Sequence, residues 1–300
     1  MLNVYEQVDR NKRKSFFIMI GFVVFITLVV WIFSQVLDYG LAVVGFALIF
    51  SGIASFSSYY WSDKIILTLS GARPASKQKD FIFYTVVENL AIAAQLPMPK
   101  LYVIDDTAMN AFATGRDEKH AVVCVTTGLL DRLDRTELEG VIGHELSHVK
   151  NYDMRLMSIV TVLVGIVTLL ADWFLRSSRI SRRNNKNEEN IGILIMIIGL
   201  ILALLSPLIA NLIKLAISRR REFLADAGSA MITRQPSGLI SALSKLSQDK
   251  ESLEAANKAT AHLYIVNPLR NLHSGIGWFA GLFNTHPPIE DRIKALKQMT

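Results

Sequence analysis

Long uninterrupted apolar runs constrain this chain more than any other feature. About 20 consecutive apolar residues are what a helix needs to cross a bilayer. Four such runs occur, at Ser15–Phe33, Leu41–Tyr60, Met157–Leu175 (interrupted by Asp172) and Ile191–Ile213. The hydrophobic fraction of 51% is gathered into these blocks, which points to membrane spans rather than an enlarged core. Ser15–Phe33 is too long for a signal-peptide core and lacks a small-residue cleavage site, so it reads as a retained span.

Charge orients the first pair. Arg10, Lys12, Arg13 and Lys14 precede it, and Lys64, Arg73, Lys77 and Lys79 follow it. Basic flanks on both outer ends place the N-terminus and the chain from residue 62 in the cytoplasm. Gly45, Gly52 and Ala54 in the second run are small residues expected to let helices approach closely. Arg176, Arg179, Arg182, Arg183 and Lys186 lie between the third and fourth runs. That loop either crosses against the usual charge bias or belongs to a shallow, re-entrant hairpin, and both options return the chain to the same side. The net charge of +6 fits these flanks. No Lys/Arg stripe with interleaved aromatics exists, so nucleic acid is not an expected partner. Cys124 is the sole cysteine, which excludes an internal disulfide and a cysteine-based zinc cluster.

The remainder reads as a soluble domain in two parts. Residues 1–61 form the first apolar hairpin, 62–156 the first part, 157–213 the second apolar hairpin and 214–300 the second part. Asp80–Leu96 is patterned as an amphipathic helix ended by Pro97 and Pro99, and Lys100–Ile104 alternates like a strand. Asn110–Gly115 and Ala121–Thr126 flank a polar turn and read as a hairpin. Amphipathic helices are expected at Ser237–Leu246 and after Pro288, where Ile289, Ile293 and Leu296 sit at core spacing.

The chemistry is concentrated in Gly143-His144-Glu145-Leu146-Ser147-His148. Two histidines four residues apart share one helical face, so both imidazoles can reach one zinc ion. The glutamate between them can then take a proton from the attacking water. Leu138, Val141, Ile142 and Leu146 supply an apolar stripe, and Thr136 with Glu139 reads as the capping box that starts the helix.

Catalytic zinc needs a third protein ligand. Asp153, Glu222, His262, His273 and His286 are the candidates. Asp153 lies too close in sequence to His148. Glu222 is preferred, because it sits beyond the last apolar run and carries Asp226 one turn later, where Asp226 can accept a hydrogen bond from a ligand histidine. His286, before two prolines, either stabilises an oxyanion or caps the last helix. Asn110, Ala111 and Phe112 are the candidate edge strand for aligning a substrate backbone, or else a cover for the core.

These residues together resemble a known family. Gly-His-Glu-Leu-Ser-His at 143–148, Ser-Arg-Arg-Arg-Glu-Phe-Leu-Ala-Asp-Ala-Gly-Ser-Ala at 218–230, Asn-Ala-Phe-Ala-Thr-Gly at 110–115 and Thr-His-Pro-Pro-Ile-Glu at 285–290 are similar to HtpX-type membrane metalloproteases, relatives of the prenyl-protein (CAAX) endopeptidases. The resemblance covers nearly the whole chain. It implies His144, His148 and Glu222 as ligands of one zinc ion, Glu145 as catalytic base, and protein substrates. It also implies a bacterial inner-membrane location and a role in stress-related quality control of damaged or misfolded membrane proteins. The expected architecture is a mainly α integral membrane protein, with four apolar helices and a cytoplasmic, zincin-like α+β catalytic domain containing a small sheet. Two rivals stand beside it. An intramembrane protease would bury the motif in a span, whereas the charged residues around the motif helix favour a solvated site. A non-catalytic membrane scaffold or chaperone would retain the motif unused.

Overall fold

The computed structural model describes residues 4–36, 40–167, 219–249, 251, 263–265 and 287–299. It is mostly helical, with one small mixed sheet. Helix α1 (Val4–Val36) and helix α2 (Leu41–Tyr60) pack against each other. Both are long and apolar enough to cross a bilayer, and most of their apolar side chains are not buried in the protein. Phe17, Ile20, Val24, Leu28 and Trp31 form an exposed stripe on α1, and Phe46, Ile49, Ile53 and Phe56 do so on α2. Such surface is stable against lipid rather than water.

The contact between the two helices is not the one the glycines suggested. Gly45 and Gly52 have nothing within 4 Å of the position a Cβ would take. Instead Ser51, Ala54, Ser55 and Ser58 are the buried face of α2, at helical spacing. Serine works here because its hydroxyl is small and satisfies itself on helix carbonyls: Ser58 Oγ donates to Ser55 O at 2.7 Å and Ser55 Oγ crosses to Met19 O at 3.3 Å.

Short helix α3 (Ser62–Leu69) leads into β1 (Arg73–Pro74), then α4 (Phe81–Ala94) and β2 (Lys100–Ile104). Helix α4 starts one residue and ends two residues inside the expected limits. Asp80 does not cap it by side chain; it pairs with Arg73 at 3.2 Å and accepts from Ser76 N at 2.8 Å. The hairpin is present as β3 (Ala111–Thr114) and β4 (Val122–Thr126), joined by a single turn of 3-10 helix. The sheet order is β1-β2-β4-β3, with β2 parallel to β4 and the other pairs antiparallel. Strand β3 is therefore an edge. Both faces of the sheet are buried: Val103, Val123, Val125 and Ala113 face one cluster, and Ile104, Cys124, Val122 and Phe112 the other.

Helices α5 (Thr127–Arg132) and α6 (Arg135–Lys150) follow, then α7, residues 153–167. The described start of the third apolar run is thus a core helix. Leu156, Met157 and Val160 pack toward the sheet, while Ile159, Leu163 and Val167 meet Phe22 and Ala54 of α1 and α2. The rest of that run and the whole fourth run lie outside the described residues. Helices α8 (Arg219–Thr233), α9 (Pro236–Gln248) and α10 (Ile289–Leu296) complete the domain, α9 and α10 close to their expected limits.

Helix α6 is the hub. Its capping box is Asp134 with Glu137, two residues earlier than Thr136 with Glu139: Asp134 Oδ1 accepts from Glu137 N and Glu137 Oε2 accepts from Asp134 N, both at 2.9 Å. Two overlapping frames fit the pattern, and aspartate caps at least as well as threonine. Glu137 is also the better-held glutamate, with Ser241 Oγ and Lys245 Nζ each at 2.6 Å, whereas Glu139 pairs at the surface with Arg135. Glycine sets how closely α6 meets its neighbours. A Cβ on Gly140 would lie 2.5 Å from Leu239 N of α9, and one on Gly228 of α8 would lie 2.2 Å from Ser147 Oγ of α6.

This packing predicts that Gly140→Ala destabilises the detergent-solubilised protein by about 1–3 kcal/mol, the usual cost of overpacking against backbone that cannot yield. Gly45→Ala, facing open space, should be neutral or stabilising, since alanine is the better helix former. Thermal unfolding of both variants checks this, and equal melting temperatures would refute the close-contact role.

Candidate metal centre

Helix α6 carries His144, Glu145 and His148 on the face turned toward α8, and all three are buried. Glu222 and Asp226 stand one turn apart on α8, and both are buried as well. The motif helix is packed within the protein, with Glu137, Leu138 and Gly140 to Val149 buried. Its charged neighbours are accommodated by pairing, as in Glu137 with Lys245 and Asp153 with Arg221.

His144, His148 and Glu222 each offer one donor atom, and these atoms lie within 4.8 Å of one another. His144 Nε2 and His148 Nε2 are 3.1 Å apart. Glu222 Oε2 lies 3.7 Å from His144 Nε2, and Oε1 lies 3.6 Å from His148 Nε2. Donors placed about 2.0–2.2 Å from a tetrahedral ion would be roughly 3.3–3.6 Å apart. The donor set thus fits a small divalent cation, by atom type and by spacing.

Each imidazole is fixed from behind. His144 Nδ1 lies 2.9 Å from Asp226 Oδ1, and His148 Nδ1 lies 3.3 Å from Asp153 Oδ2. A carboxylate on Nδ1 holds the proton there and leaves Nε2 as the donor. Asp226 is where the sequence placed it. Asp153, set aside as a ligand, serves the same purpose for His148. Tyr152, at φ 58°, reverses the chain after α6 and brings Asp153 back onto that histidine.

Arg292 was missed altogether. It is fully buried on α10, donates to Asp226 through Nε at 2.9 Å and Nη2 at 2.6 Å, and places Nη1 3.9 Å from Glu222. Its only signal in the sequence was its position on the core side of the last helix, one residue before Ile293. His286, His262 and His273 lie outside the described residues. His120 is at the surface, paired with Asp117 at 2.6 Å.

Burial and neighbours set the protonation of the centre. Burial, aided by the Arg292 charge, lowers the His144 pKa to about 4. Burial pushes Glu145 up to about 7, against the opposing effects of His148, Arg292 and a hydrogen bond from Ala113 N. Burial alone would lower His148, but the Asp153 hydrogen bond and the charges of Glu222 and Asp153 raise it to about 9.

The hairpin reaches this site edgewise. Thr126 N donates to Asn110 O, so the peptide groups of Asn110 and Phe112 face β4 and those of Ala111 and Ala113 face away. Ala113 N–H meets Glu145, and Ala111 O accepts from Ile265 N at 3.0 Å. The Phe112 ring packs edge-on against Tyr264. Of the three expected strand residues, only Ala111 presents its backbone outward.

The sequence model of peptidase family M48 matches residues 78–300. A protease HtpX homolog from Dictyoglomus thermophilum is 46% identical, over 98% of this chain and 94% of the relative. Those from Caldanaerobacter subterraneus subsp. tengcongensis and Streptococcus uberis are 44% and 40% identical over 99% of this chain, and 98% and 100% of their own lengths are covered. Among solved structures, the crystal structure of S. mikatae Ste24p is similar over 97% of this chain and 67% of that one, at 18% identity and a TM-score of 0.48. A chain matched over its motif domain and at this identity over nearly its full length belongs to peptidase family M48, as an HtpX-type member.

Proposed function

We propose that this protein is a zinc-dependent endopeptidase of the bacterial inner membrane, with its active site on the cytoplasmic side, acting in quality control of misfolded or damaged membrane proteins. The observation that carries the reading is the convergence of His144, His148 and Glu222 at tetrahedral spacing beside Glu145. The basic flanks of the first apolar pair support the orientation. Residues 157–213 are proposed as an apolar insertion between the two parts of one catalytic unit, 62–156 and 214–300.

His144, His148 and Glu222 would hold one zinc ion, which would supply Lewis-acid polarisation of the scissile carbonyl and a more acidic water at neutral pH. Glu145 takes the proton from the attacking water and passes it to the leaving amine. Asp226 and Asp153 keep Nε2 of each histidine directed inward. Strand β3 aligns substrate backbone by strand addition, Ala111 exchanging its Ile265 N–H partner for substrate while Asn110 and Phe112 hold the strand to β4. His286 is proposed as the oxyanion partner.

Glu145→Gln tests the reaction directly. The amide keeps the shape but cannot accept the water's proton. Zinc content should stay at one per chain while cleavage of casein, chelator-sensitive in the parent, is nearly abolished. A zinc-loaded variant that still digests casein at a substantial rate would remove Glu145 from its role. A parent that binds zinc but cleaves nothing would favour the scaffold reading.

Zinc affinity should also rise with pH. His148, with its pKa near 9, carries both ring protons at pH 7, and coordination must expel the one on Nε2. His144, near 4, is already neutral and adds no dependence there. Affinity should therefore increase roughly tenfold per pH unit between about pH 6 and 8. Calorimetry in buffers of different ionisation enthalpy should show release of about one proton, and a pH-independent affinity would contradict the protonation assigned to His148.

A further inference from the structure

The two histidines are held by carboxylates, and each carboxylate is held by a residue near one end of the chain. On the His144 side that residue is Arg292, gripping Asp226. On the His148 side, Asp153 gives Oδ2 to His148 and receives at Oδ1 the Asn11 amide, at 2.8 Å, and Arg221 Nη1, at 3.3 Å. Asn11 is on α1, one turn before its apolar run begins.

The Asn11 side chain is oriented against its surroundings. Arg10, Lys12 and Arg13 beside it are exposed, yet Asn11 is 3% exposed. Its amide makes two donations at once, to Asn151 O at 2.9 Å and to Asp153 Oδ1 at 2.8 Å. The first ties α1 to the end of α6 and would suffice to dock the helix. The second reaches the group that fixes the tautomer of His148. Lys12 adds a cation–π contact over Tyr152, the residue whose backbone reverses the chain, at 4.5 Å.

We propose that the first membrane helix is a working part of the metal centre, with Asn11 a positioning residue that aims His148 through Asp153. The inference rests on the zinc site proposed above. Asp153 accepts on Oδ1 from α1, so its rotation is set, and Oδ2 is presented to Nδ1 of the histidine. Without the Asn11 donor, Asp153 keeps Arg221 but loses the contact that locks it to the helix end. The site is then complete only when α1 is seated, which links the membrane anchor to the chemistry.

The test uses full-length protein in lipid nanodiscs. Asn11→Leu keeps the side-chain shape and removes the donor. Zinc affinity, read by chelator competition, should fall roughly 10- to 100-fold, as for loss of other groups that orient a ligand histidine. The visible absorption of the cobalt-substituted protein should change in band position or intensity. That spectrum reports only folded, metal-bound molecules, so an effect confined to helix docking would lower the melting temperature and leave it unaltered. In an Asp153→Ala background, Asn11→Leu should cause no further loss of affinity. Thr27→Val, on the same helix, should match the parent in both readouts. Parent-like affinity and cobalt spectrum in Asn11→Leu, or a full loss that persists without Asp153, overturns the link. A parent that binds no zinc instead refutes the proposed zinc site itself.

Discussion

Among the described residues, eight buried ionisable side chains gather where α6, α8 and α10 meet the start of α7, and the need to leave none of them unpaired shapes the surrounding structure. Moving one charge out of water costs several kcal/mol even after the protein relaxes. His144 is answered by Asp226, Asp226 by Arg292, His148 by Asp153, and Asp153 by Arg221 and Asn11. Glu222 faces both histidines, and Glu145 takes a backbone N–H from the sheet edge. Such a network needs helices closer together than ordinary side chains permit. Gly140 and Gly228, with Ser147 and Ser229, provide that approach, and Ser229 Oγ donates to Gly140 O at 2.6 Å across the crossing. A cation added to this network stands where three donors already face one another.

The readable part of the site was the part carried by local periodicity. Histidines at i and i+4 must share a face of any helix, and Glu222 with Asp226 repeats the same spacing, so four inward groups followed from two short stretches. The β3–β4 hairpin was legible from strand patterning around a polar turn, and α9 and α10 from apolar spacing. Asp153, Arg292 and Asn11 were not legible, for one reason. Each acts through a contact that depends on how distant elements meet, and an isolated Asn, Asp or Arg in sequence resembles a surface residue. The capping box lies two residues before its expected place because Asp-Arg-Thr-Glu and Thr-Glu-Leu-Glu overlap, and only contacts from α9 show which glutamate turns inward. Gly45 and Gly52 misled in the opposite direction, since a small residue in a membrane helix permits close approach without requiring it.

The fold also explains why the motif helix is ringed by structure on every side. Its N-terminal half is bound to α9 through Glu137, Ser241 and Lys245, and its C-terminal end to α1 through Asn11 and Asn151 O. Its inward face meets α8, and α4 and the sheet pack against it as well. Rotation of α6 by even a fraction of a turn would break contacts of three different kinds. That rigidity matters for a metal centre, because ligand atoms held within tenths of an ångström need no reorganisation when the ion arrives.

Glu145 shows what burial does for the proposed reaction. An exposed glutamate has a pKa well below neutrality and is a weak base at pH 7. Here burial, aided by the Glu222 charge, pushes the carboxyl upward, while His148, Arg292 and Ala113 N–H pull it back, and the balance lies at about 7. A general base works best with its pKa near the operating pH, where about half of it is deprotonated and it is still strong enough to take a proton. Stripping away the apolar surroundings would lose that basicity, and removing the Ala113 donor would raise the pKa further and leave the group protonated. The enclosed site and the sheet edge therefore act on one carboxylate in opposite directions. The position of β3 beside α6 consequently matters for the base as well as for any strand that pairs with it.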